Sequence, residues 1–236
     1  MTKQRDTAIV AGVGSGLGQT LCRQLTSAGY RVAGLARTTA ASKDLLDDLS
    51  PDRFLAVRCD VTDAAQLDAA VSEVETRWEP PSVYVHNAAP FHTQAFAETE
   101  PQTFESLWRT MCLGAVQGSQ RVLPGMLQAK RGTLLFIGAT ASVKAGAGFS
   151  AFGSAKFALR GLAQSLAREL GPRGIHVAHL IIDGVMWGER ADARFQMQRE
   201  QCLDPESVAR TCVHLLEQPR SAWTHELDIR PDVETF

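Results

Sequence analysis

The stretch Thr7-Ala8-Ile9-Val10-Ala11-Gly12-Val13-Gly14-Ser15-Gly16-Leu17-Gly18 decides the fold. A short apolar run ends in four glycines at alternate positions. Leu17, Leu21, Leu25 and Ala28 then recur at helical spacing. Strand, glycine turn and helix in this order let a backbone approach a diphosphate. Glycine has no side chain to obstruct the approach, and a helix N-terminus offers free N–H groups and the positive end of its dipole. Gly12, Gly14, Ser15, Gly16, Leu17 and Gly18 are therefore candidate cofactor contacts.

Outward from the loop, Arg31–Arg37 forms a second apolar run and completes a β-α-β unit. In dinucleotide-binding units the end of this strand faces the adenosine ribose. An acid there selects NAD, whereas an arginine suits the 2′-phosphate of NADP. This chain has Arg37 and Thr38 at that end, then Thr39, and no acid before Asp44. The pattern favours NADP(H) over NAD(H). A surface arginine in a loop is the other reading of Arg37.

The remaining chain alternates strand and helix. Strands are expected at Phe54–Cys59, Ser82–His86, Gly132–Ile137, Ile175–Ile182 and Glu226–Ile229. Helices are expected at about Ala41–Leu49, after Asp63 with Leu67, Ala70, Val71, Val74 and Trp78 inward, and at Pro101–Gln128. Two more follow, at Phe149–Leu170 and from Asp204-Pro205 onward. Gly138–Gly148 reads as a flexible segment. Seven strands alternating with helices imply an α/β fold, a doubly wound parallel sheet of Rossmann type, as one domain over residues 1–236.

Composition narrows the function classes. The chain has 236 residues, 44% hydrophobic, and a formal net charge of -2. No basic surplus argues for nucleic acid, and no apolar run approaches a membrane span. Cys22, Cys59, Cys112, Cys202 and Cys212 are scattered without a C-x-x-C pair, as expected of reduced thiols in a cytoplasmic protein. The polar start, Met1–Asp6, carries no apolar signal region. His86, His176 and His179 lack metal spacing and read as core or strand-end histidines, so no metal is expected.

Several motifs together resemble the short-chain dehydrogenase/reductase family along the whole chain. Gly12-x-x-x-Gly16-Leu17-Gly18 is similar to its cofactor loop, and Asp60-Val61 to the acid that meets the adenine. Asn87-Ala88-Ala89 resembles its N-A-G motif, Lys156 stands where its Y-x-x-x-K lysine stands, and Gly184 matches the glycine of its P-G motif. The resemblance implies a nicotinamide cofactor, a small-molecule substrate and a homodimer or homotetramer. It implies cofactor contacts at Asp60, Val61, Asn87, Ala88, Ala89, Lys156 and, after the sixth strand, Asp183, Gly184, Val185 and Met186.

The departures from the family pattern fall at its catalytic residues. The position of the general acid/base Tyr is Phe152, which cannot exchange a proton. The Ser position falls on or beside Ala139, with Thr140 and Ser142 the nearest hydroxyls. The Asn position falls at Met111, the Pro of P-G is Asp183, and the Thr that follows falls at Gly188. Lys156 alone remains of the usual four. The catalytic candidates are Lys156, Ser142 and Thr140, and Phe149, Phe152, His92 and Trp187 are candidates for a substrate pocket. Lys144 could donate a proton, or could be an exposed loop lysine. Asp183 could bind the carboxamide, act as a base or cap its own turn. Two functions follow: an NADP(H)-dependent oxidoreductase with non-standard proton delivery, or a dinucleotide-binding protein without turnover that serves as sensor, scaffold or oligomer partner.

Overall fold

The computed structural model describes residues 6–38, 40–188, 191 and 195–234. Seven strands form one parallel sheet: β1 Thr7–Ala11, β2 Arg31–Ala36, β3 Phe54–Arg58, β4 Val83–His86, β5 Gly132–Ile137, β6 Ile175–Ile182 and β7 Glu226–Ile229. Their order is β3-β2-β1-β4-β5-β6-β7. The chain leaves β1 toward one edge and returns at β4 to build the other half. The loops after β1 and β4 therefore diverge, and a crevice opens at the C-terminal ends of the strands.

Period-two alternation distributes the strands between two cores. In β1, Ala8 and Val10 face one side, with Leu21 and Leu25 of α1 (Leu17–Ser27) and Val208 and Cys212 of α7 (Pro205–Leu216). Ile9 and Ala11 face the other side, with residues of α3 (Ala64–Arg77), α5 (Gly114–Ala129) and α6 (Ser150–Leu170). Leu21 and Leu25 are fully buried, and each such side chain is worth about 2 kcal/mol of transfer free energy. The apolar run of β6 is buried at all eight positions because helices cover both faces. The short α2 (Lys43–Asp48) packs beside β3.

Helix starts follow their caps. The Asp63 side chain accepts from the Ala65 and Gln66 amides to begin α3, and Asp204 accepts from Ser207 to begin α7. The long helix expected over Pro101–Gln128 is interrupted. α4 spans Pro101–Trp108, a π-helical turn occupies Arg109–Leu113, and α5 carries the chain to Ala129. The extra residue of a π turn re-aims neighbouring groups, and periodicity alone does not reveal it. Gly138–Gly148 contains a short 3₁₀ turn at Thr140–Ser142. His86, His176 and His179 are buried in strands. Thr39, Glu189, Arg190 and Arg194 lie outside the described residues. Among the described residues no helix is long and apolar enough to cross a membrane, and no group of three potential metal ligands occurs.

Candidate cofactor and substrate cleft

The crevice above β1 and β4 is a cleft of about 1390 Å³. Its floor is the glycine loop. Gly12 has φ +98°, and a Cβ there would lie 2.5 Å from the Ala88 amide nitrogen. A Cβ on Gly18 would lie 2.6 Å from the Gly12 carbonyl oxygen. These two glycines allow the β1 and β4 loops to lie against each other. Asn87 fixes that contact: its Nδ2 donates to the Gly12 carbonyl at 2.8 Å, and its backbone N–H donates to the Ala11 carbonyl at 2.8 Å.

Gly14 and Gly16 serve differently. Neither would bring a Cβ within 4 Å of another atom, and Gly14, Ser15 and Gly16 are exposed on the cleft floor. No side chain caps α1 at its Gly16 start. Open space, small residues and an uncapped helix N-terminus suit the diphosphate of a dinucleotide. At the adenosine end, Arg37 lines the cleft beside Asp60 and Val61. Thr38 lines a small adjoining depression with Val13, Gly14, Ala36 and Arg37. One oxygen of Asp60 accepts from the Thr62 N–H at 2.9 Å and hydroxyl at 2.8 Å, which sets the turn after β3.

Ala88 and Ala89 carry the cleft wall from β4 toward Lys156. The Lys156 side chain is buried, and Nζ donates to the Ile137 carbonyl at 2.7 Å. Burial pushes its pKa down to about 8. The ammonium lies 5.8 Å from the centre of the Phe152 ring. Its neighbour His86 is driven lower, to about 3, by burial first and by the Lys156 charge second. His86 Nε2 meets the Thr110 carbonyl at 3.1 Å and must donate there. Nδ1 is thus left to accept from the Tyr84 hydroxyl at 3.3 Å. This buried pair ties the end of β4 to the π turn.

The opposite end is apolar. Leu107, Met111, Ala141, Ala151, Phe152 and Ala155 form one buried cluster, with Ala139 and Phe149 packed on it. Phe91 lies at the centre of an aromatic wall. Its ring stands 5.7 Å from Phe152, 5.9 Å from Phe149 and 5.8 Å from Phe195, and all four line the cleft. Gly184, Val185, Met186 and Trp187 line the side after β6.

Three sequence candidates do not reach the cleft lining. Ser142 is fully buried, and its hydroxyl accepts from the Ala139 N–H at 3.1 Å, so it braces the turn and Thr140 takes the lining position. Asp183 is buried beneath the cleft. The guanidinium of Arg230, just beyond β7, lies 3.1 Å from its carboxylate, and that carboxylate caps no turn among the described residues. His92 is absent from the cleft lining, although its neighbour Phe91 belongs to it. Sequence reading missed Phe91, Phe195, Arg109, Glu105 and Glu234 as lining residues. Phe91 carried a signal, an apolar ring in a polar loop just after Asn87-Ala88-Ala89. Glu234 carried none, because the tail's return over Gly184 is a tertiary contact.

The chain is similar to known proteins in sequence and fold. Residues 6–194 match the model of the short chain dehydrogenase family. A short-chain dehydrogenase from Rhodopseudomonas palustris is 32% identical over 96% of this chain and 98% of that one, with a TM-score of 0.82. A metagenomic short-chain oxidoreductase in complex with NADP is 22% identical over 99% and 100% of the two chains, also at 0.82, and shares the fold. Glycine betaine reductase of Emericella nidulans is 27% identical over 95% of this chain, but this chain spans 18% of that protein's length.

Proposed function

The chain belongs to the short chain dehydrogenase family, an oxidoreductase family, and from that premise we propose that it binds NADP(H) and transfers hydride to or from a small carbonyl, alcohol or activated alkene. The observation that carries the reading is the open, uncapped glycine floor continuous with buried Lys156. A nicotinamide dinucleotide would supply or take up the hydride.

The residues divide the remaining work. The α1 N-terminus and the amides of Gly14, Ser15 and Gly16 would hold the diphosphate. Arg37 would grip a 2′-phosphate, where a guanidinium can bond two oxygens at once. Lys156 would bond the nicotinamide ribose and keep a positive charge in the cleft. Its tether to the Ile137 carbonyl fixes Nζ in place. The phenyl wall would exclude water and receive an apolar substrate. Phe152 has no proton to give, a loss of about 10²–10⁴-fold in rate unless another group supplies it.

The coordinated apolar filling of the family's Tyr, Ser and Asn positions by Phe152, Ala139 and Met111 favours a second reading, cofactor binding without carbonyl turnover. Titration with NADPH and NADH, followed by NADPH oxidation over ketones, quinones and activated alkenes, separates the two. NADPH binding about 10-fold tighter than NADH, with the preference lost in Arg37→Ser, is the expected result. Turnover of at least one acceptor supports hydride transfer. Binding without any turnover favours the second reading, and absence of binding to either nucleotide defeats both.

A further inference from the structure

Phe152 leaves the reacting end of the cleft without a phenol, and the cluster around it contains no acid. Lys144 lines the cleft, as Lys156 and Arg109 do. It sits two residues after the Thr140–Ser142 turn, with its N–H donating to the Thr140 carbonyl at 3.0 Å. The segment is pressed onto α6 immediately beside Phe152: a Cβ on Gly153 would lie 2.7 Å from the Ala145 Cβ. A glycine after Phe152 leaves room for the Ala145 methyl against α6.

The side chain is also steered from below. Asp183 stands where the family has proline, and its carboxylate is 3% exposed. Its Oδ2 lies 4.0 Å from Lys144 Nζ and 3.1 Å from an Arg230 nitrogen. Its Oδ1 is buried without a hydrogen-bond partner among the described residues. The Arg230 guanidinium shares Oδ2, and that oxygen still lies within ion-pair distance of the Lys144 ammonium. Lys144 itself is 52% exposed, so solvent reaches its nitrogen.

The other polar groups of the cleft serve less well. Lys156 Nζ is tethered to the Ile137 carbonyl and assigned above to the nicotinamide ribose, and the Thr140 alcohol is too weak an acid. Arg109 carries a guanidinium that does not give up its proton and lies 3.8 Å from Glu105.

Resting on the hydride-transfer reading above, we propose that Lys144, positioned by Asp183, meets the substrate oxygen and gives it a proton, and that the substrate is a carbonyl compound with a flat aromatic group lying against the Phe91, Phe149 and Phe152 rings. The balance is complete. The carbonyl carbon gains hydride with its electron pair, and the C=O π pair moves to oxygen. The oxygen takes a proton from the Lys144 ammonium, and the neutral amine recovers one from water. Asp183 is a positioning residue, because it acts through Lys144.

The test does not require turnover. In the NADP+-saturated protein, 2-naphthoate offers an anionic oxygen and a flat ring together, and 2-naphthalenemethanol offers the ring without the charge. Lys144→Met should weaken 2-naphthoate about 10-fold and leave 2-naphthalenemethanol unchanged, whereas Lys144→Arg should stay within about 3-fold of wild type. Asp183→Asn should follow Lys144→Met more weakly. Phe149→Ala should weaken both probes alike. Reduction of 2-acetylnaphthalene by NADPH should then lose about 100-fold in kcat in Lys144→Met, with KM shifted far less, and Lys144→Arg should fail to restore kcat. Equal naphthoate binding in wild type and Lys144→Met, or equal kcat, overturns the proposal while the hydride-transfer reading stands. A wild type that binds neither nucleotide overturns that reading itself.

Discussion

At one end of the cleft, Gly14, Ser15 and Gly16 stand open and uncapped above β1; at the other, Met111, Ala141 and Phe152 are closed into an apolar cluster. The first end exposes backbone polar groups, and the second is apolar throughout. The apolar filling is consistent: a hydroxyl or amide beside the Phe152 ring would be left unpaired, and unpaired buried polar groups are costly. Ala139 and Met111 carry no such group, and Met111 is fully buried. The cofactor end and the reacting end therefore answer to separate physical requirements and can diverge separately.

The largest effect that would break this contrast is expected at Gly16. Gly16→Asp places a carboxylate where the diphosphate belongs and should weaken NADPH at least 100-fold by fluorescence titration. The same substitution puts a preferred N-cap on α1, so thermal stability of the cofactor-free protein should hold or rise by a few tenths of a kcal/mol. Coincident loss of binding and of fold would show that the loop is structural and not a ligand floor.

Lys156 links the two ends, and its burial has a pH signature. Below pH 8 it is charged in both folded and unfolded chains. Between about 8 and the ordinary value of 10.5 the folded lysine is neutral while the unfolded one keeps its proton. The unfolded state then binds more protons, so stability should rise with pH across that window, by about 3 kcal/mol in the limit. Denaturant melts of the cofactor-free protein from pH 7 to 10.5 should show this rise, and Lys156→Met should flatten it. An identical slope in both proteins would place the titrating group elsewhere.

Phe152→Tyr sharpens the contrast from the other side. The phenol would stand near the Lys156 ammonium, whose nitrogen lies 5.8 Å from the present ring centre. In Lys144→Met, which lacks the proposed donor, adding Phe152→Tyr is expected to raise ketone reduction about 100-fold. No increase would mean that the surrounding cluster, and not the missing hydroxyl, limits the chemistry. Met111→Asn alone should give the smallest effect, a loss of about 2 kcal/mol in stability, because the amide enters a fully buried apolar site. A neutral outcome in chemical melts would reveal a polar partner near the π turn.

The sheet, the glycine floor and the position of Lys156 were legible in the chain because each follows from local pattern. Apolar runs mark strands, glycines mark close backbone approach, and the helical spacing of Ala155, Leu159 and Leu166 marks α6. The aromatic wall was half legible: Phe149 and Phe152 lie at and just inside the start of α6, but Phe91 and Phe195 join them from distant parts of the chain. Ser142, with its hydroxyl near the expected site, could not be distinguished from Thr140 by spacing, and only the turn turns one inward and the other to the cleft.

The amino-acid sequence by itself determined a parallel sheet with a dinucleotide-type turn and a reacting end stripped of its usual acid. Those properties depend on residue type and short-range order. Tertiary structure decided where the charges went. Asp183 belongs to Arg230, 47 positions later by residue number, because β6 and β7 end side by side, and Lys144 reaches within 4.0 Å of it from the loop whose Ala145 methyl lies against Gly153 of α6. Electrostatic partnership depends on distance in space, and the sheet order that sets this distance is a property of the whole chain.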